Sequence, residues 1–64
     1  MKLNLKKLEL AMANNCLSSK GLSEKSGINY VTLNTYLRGA REPKPNVLGK
    51  IAKALDVDPA DLVE

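Results

Sequence analysis

Leu17 to Gly39 reads LSSKGLSEKSGINYVTLNTYLRG, two short helical patterns joined at Gly27. Ser18 is a capping residue for a helix over about Ser19–Ser26, which buries Leu22 and the small Ser23. Gly21 inside it costs roughly 1 kcal/mol against alanine. Gly27 ends this helix in the left-handed conformation that glycine adopts without penalty. Ile28 then faces inward, Asn29 caps a helix over Tyr30–Arg38, and Gly39 ends that one in the same way. The third helix divides by angle. At about 100° per residue from Tyr30, the positions Tyr30, Asn34, Arg38, Val31 and Thr35 fall between about 0° and 140°. Leu33, Tyr36 and Leu37 fall between about 240° and 340°. One face can bury. The other carries amide, hydroxyl and methyl groups beside one arginine, the chemistry that reads base edges in a DNA major groove.

Outward from this stretch the chain is helical. Asn4 caps a first helix to about Asn15, with Leu5, Leu8, Met12 and Cys16 on one stripe. Lys6 and Lys7 in its first turn oppose the helix dipole at a few tenths of a kcal/mol each, a cost that a nearby polyanion reverses. Ala40 to Pro45 is a loop. A fourth helix follows over about Pro45–Leu55, since proline suits a first helical position, and Leu48, Ile51, Ala52 and Leu55 form its buried stripe. Asp58-Pro59-Ala60-Asp61 is a start signal again, an Asp cap followed by proline and an acid. It predicts a fifth short helix burying Leu62 and Val63.

Sixty-four residues make one domain, residues 1–64, near the lower limit for a self-sufficient core. A single cysteine and no histidine exclude an internal disulfide and leave no ligand set for structural zinc. No cofactor or metal is expected. Nor is there a phosphate-cradling glycine loop or a nucleophile beside a base, so nothing points to an enzyme. No apolar run approaches ~20 residues and no signal-peptide pattern opens the chain, so no membrane is expected and the cytoplasm is the default location. The end at Val63-Glu64 fits a complete minimal domain and the N-terminal domain of a longer protein equally. Charge is uneven along the chain: residues 1–53 hold all ten Lys and Arg against three acids, and residues 54–64 hold only four acids. That asymmetry suits a basic face turned to a polyanion, with the acidic end kept away.

Taken together, Leu17-Ser18, Leu22, Ser23, Glu24-Lys25, Gly27, Ile28, Thr32-Leu33, Arg38-Gly39, Pro43 and the Ile51-to-Leu55 run IAKAL resemble the helix-turn-helix domain of phage repressors and Cro proteins. The resemblance spans roughly Leu5 to Val63. It implies an all-α, five-helix, lambda-repressor-like domain with the helix-turn-helix at helices 2 and 3. It further implies a bacterial or phage-encoded, nucleoid-associated regulator of transcription, a repressor acting as a homodimer on a palindromic operator in double-stranded DNA. Base contacts carried over by position are Tyr30, Val31, Asn34 and Thr35, on a helix entering the major groove by its N-terminal end. Asn34 suits adenine N6/N7 and Val31 suits a thymine methyl. Phosphate contacts fall on Ser18 and Ser19, on Arg38, Arg41 and Lys44, and on Asn46. Family members often carry glutamine at the Ser19 position, where it clamps phosphate and braces the first recognition side chain; serine is shorter.

Many relatives also pair a buried arginine of the first helix with a glutamate near the end of the third. Those positions are Met12 and Leu37 here, an apolar pair expected to touch. Cys16 is read as a small hydrophobe at the end of the first helix. Pro45, Val47, Val57, Pro59 and Val63 are apolar residues left over for a dimer surface. The competing reading is a protein-interaction module, antitoxin-like or regulator-binding, that docks a partner through Leu37, Val57 or Val63, with DNA contact secondary. Steep salt dependence of duplex binding separates the two.

Overall fold

The structure, a computed structural model, describes residues 2–64; Met1, within the expected domain, lies outside the described residues. Four α-helices form: α1 (Leu5–Asn14), α2 (Ser19–Ser26), α3 (Tyr30–Leu37) and α4 (Pro45–Leu55). A single 3₁₀ turn follows over Pro59–Leu62. The capping residues act as their chemistry requires. Asn4 Oδ1 accepts the Lys7 amide at 3.1 Å and Ser18 Oγ accepts the Gly21 amide at 3.1 Å. Asn29 Oδ1 takes the amides of both Val31 and Thr32, at 2.9 and 3.4 Å. Gly27 and Gly39 lie at φ 77° and 72°, the left-handed geometry in which a side chain is strained.

The expected fifth α-helix is a correction. Asp58 Oδ1 caps the Ala60 amide at 2.9 Å, and the Asp61 amide bonds the Asp58 carbonyl at 2.8 Å, so the segment starts as read. It stops after one turn because the chain beyond Leu62 pairs with the N-terminus instead. Leu3 and Val63 form an antiparallel bridge. The Asn4 amide bonds the Leu62 carbonyl at 2.8 Å and the Glu64 amide bonds the Lys2 carbonyl at 2.9 Å. Extended pairing and helical hydrogen bonding compete for the same backbone groups, and the pairing wins because it buries Leu3 (6% exposed) beside Leu62 (1%).

The core joins all helices. Leu8, Leu22, Leu33, Leu48, Ile51, Leu55 and Leu62 are fully buried, each contributing roughly 1.5–3 kcal/mol of transfer free energy. α2 lies between α3 and α4, and the 3₁₀ turn rests on α4 and α1. Ser23 is buried at the crossing of α2 by α3, and its hydroxyl donates to the Ile28 carbonyl across the turn. Small size and a hydrogen bond therefore both select serine there.

Cys16 departs from its expected place. It lies beyond the helix, exposed, at φ 55°. The stripe stops at Met12 because the Cys16 and Leu17 amides fold back to the carbonyls of Ala13 and Met12 at 3.0 and 2.9 Å, closing α1. Val47, Val57 and Val63 are not left over either: all three pack partly buried against the core, while Pro45 and Pro59 stay exposed. Met12 and Leu37 are likewise half-buried against the core.

Candidate nucleic-acid interface

Burial of Leu33 (0% exposed) and Tyr36 (5%) fixes the rotation of α3. The opposite face is thereby forced outward, with Tyr30 45% and Val31 73% exposed. Asn34 and Thr35 share that face and are half-exposed. A large apolar side chain as open as Val31 gains nothing from water, and it sits at the first turn of the helix that the resemblance assigns to the groove. The four expected base-reading residues therefore stand together on one surface.

Their chemistry is partly preset. Thr35 Oγ1 donates back to the Val31 carbonyl at 3.1 Å, which leaves its methyl group and acceptor lone pairs for a ligand. The polar groups of Asn34 and Ser19, and the charge of Lys20 after them, pull the pKa of the exposed Tyr30 hydroxyl below the ordinary tyrosine value. Asn29 Oδ1 occupies the Val31 and Thr32 amides in the first turn of α3.

The expected phosphate contacts fall into three groups. Ser18 accepts at its cap but keeps its hydroxyl hydrogen to donate, and the neighbouring first-turn amides of α2 have no helical partner. Lys44 precedes α4 without any side-chain cap, so the opening turn around Asn46 also leaves amides free for an anion. Arg38 and Arg41, both exposed, line a single groove beside the first turn of α1. That groove also contains Lys2 and Lys6. Of these, Lys6 is one of the two first-turn lysines that oppose the dipole of α1. Among the described residues no cluster of three or more metal-ligating side chains occurs, and no helix is long and apolar enough to cross a membrane.

A glycine-turned helix pair, an outward reading face and cations at the flanking helix ends define a helix-turn-helix DNA-binding module. The family comparison agrees: the model of the Cro/C1-type HTH DNA-binding domain matches residues 7–64, and the chain belongs to that family. Neither the curated proteins nor the solved structures give a match. Membership carries DNA binding and a place in transcription regulation.

Proposed function

We propose that this chain is a sequence-specific repressor that inserts α3 into the major groove and binds as a homodimer. The observation that carries this is the exposure of Val31 and Tyr30 side by side at the start of α3. Two apolar or amphipathic side chains held in solvent on an ordered helix gain most when they meet base edges and thymine methyl groups. Tyr30, Val31, Asn34 and Thr35 read the bases. Ser18, Ser19, Arg38, Arg41, Lys44 and Asn46 hold the backbone strands on either side. Dimerisation is supported by size: one domain this small gains little specific affinity, and two copies on half-sites about one helical turn apart multiply it. A bacterial or phage regulator working in the cytoplasm is the setting this reading implies.

Selecting bound duplexes from a random DNA pool tests the proposal directly. A palindromic consensus with salt-dependent affinity is expected. Replacing Arg38, Arg41 and Lys44 by alanine should flatten the slope of log affinity against log salt by about 0.9 for each phosphate no longer neutralised. Absence of salt-dependent duplex binding would overturn the reading, and retention of a protein partner by a DNA-silent chain would establish the interaction-module alternative. A strict monomer, both free and on DNA, would remove the dimer.

A further inference from the structure

A groove runs between the N-terminal segment, the first turn of α1 and the loop after α3, and Lys2, Lys6, Arg38 and Arg41 line it. These cations come from two separate stretches of sequence, residues 2–6 and 38–41, and the turn at Gly39 brings them together. A Cβ on Gly39 would stand 3.2 Å from Leu5 Cδ1, so the end of α3 sits directly against the start of α1. Glu42 and Glu64 also line the groove, which leaves the cations in excess. The first turn of α1 holds no acid. Its dipole therefore adds to the positive potential, and Asn4 occupies only the Lys7 amide.

We propose that this groove is a further DNA-backbone site, taking phosphodiester groups of the same duplex that α3 reads. The inference rests on the DNA-binding reading above. Arg38 and Arg41 directly follow α3, so a duplex engaged by that helix presents its phosphates to the loop. Lys2 and Lys6 extend the line of charge past the loop onto α1. They carry no sequence information and act on affinity alone.

The test uses the full chain and a duplex recovered by pool selection, with affinity followed across a salt series. Lys2 and Lys6 are exposed, so the double variant K2A/K6A keeps the fold. Its salt slope should flatten by ~1.8, two phosphates at about 0.9 each, with base preference unchanged. The control variant K50A/K53A removes equal charge from a different depression, one lined by Lys25, Lys50 and Lys53, and should keep the wild-type slope. An unchanged slope in K2A/K6A overturns the groove as a site, and so does equal flattening in K50A/K53A, which would reveal only a long-range field. A wild-type chain with no salt-dependent duplex binding would instead sink the underlying DNA-binding reading.

Discussion

The turn from α1 into α2 and the turn from α2 into α3 both reverse the chain through a left-handed residue, Cys16 in the first and Gly27 in the second. The second is closed from within. Ser23 donates to the Ile28 carbonyl, and the Ile28 amide reaches Ser26 Oγ at 3.3 Å. Asn29 then caps α3 at once. The first turn closes locally as well, through the Cys16 and Leu17 amides, but adds a tie from outside: Asn15 Nδ2 donates to Ala11 O and, across the fold, to Leu55 O at the end of α4, both at 2.9 Å. The turn into α3 is thus held among its own residues alone, whereas the turn behind it adds a tie to a distant helix. If α3 reads bases as proposed, its angle is set by local closure rather than by the rest of the domain.

Ser23→Val breaks this distinction most severely. It removes the donor to Ile28 O and adds volume where α3 crosses α2, two terms of ~1–3 kcal/mol each. Urea unfolding should show a loss of about 3 kcal/mol, with DNA affinity falling beyond what the unfolded fraction explains. A loss under about 1 kcal/mol would mean that the turn is not held by its own bonds.

Met12 and Leu37 test whether α1 and α3 also touch directly, bypassing both turns. Met12→Arg and Leu37→Glu should each destabilise by about 2 kcal/mol, because either places an unpaired charge on the core edge. The double variant should recover at least half of the summed loss. Simple additivity in this cycle would show that the two side chains are not neighbours.

Asn15→Ala comes next, at about 1–2 kcal/mol, since it leaves the Leu55 carbonyl without its partner. Unlike the Ser23 substitution, it should leave base preference untouched, because the turn it loosens lies behind α2. A change in the selected DNA sequence with this variant would erase the contrast between the two turns.

The same contrast explains what the sequence made legible. Gly27, Ser23, Leu33 and Asn29 act through small size, left-handed backbone, burial and capping, all properties of the residue itself. The exposed face of α3 follows from them by helical periodicity. Asn15 and Leu3 act through partners 40 and 60 positions away, and no local pattern announces such a bond. The fifth helix failed for that reason: its start signal is local and correct, but its end is set by pairing with the N-terminus. Lys2 and Lys6 meet Arg38 and Arg41 in one groove because Gly39 packs the end of α3 onto α1.

Cys16 offers the smallest and sharpest test of the comparison. Its φ of 55° places a side chain in a region that disfavours Cβ by roughly 1–2 kcal/mol. Glycine removes that strain but adds flexibility to the unfolded chain, which returns roughly 0.5–1 kcal/mol. Cys16→Gly should therefore raise stability by about 0.5–1 kcal/mol. The thiol is exposed, so its removal uncovers no core surface that would offset the gain. Thermal unfolding under reducing conditions measures it, and duplex affinity should not change. Destabilisation would mean that the thiol makes an interaction worth more than the backbone strain. The first turn would then owe its shape to its side chain, as the second does at Ser23.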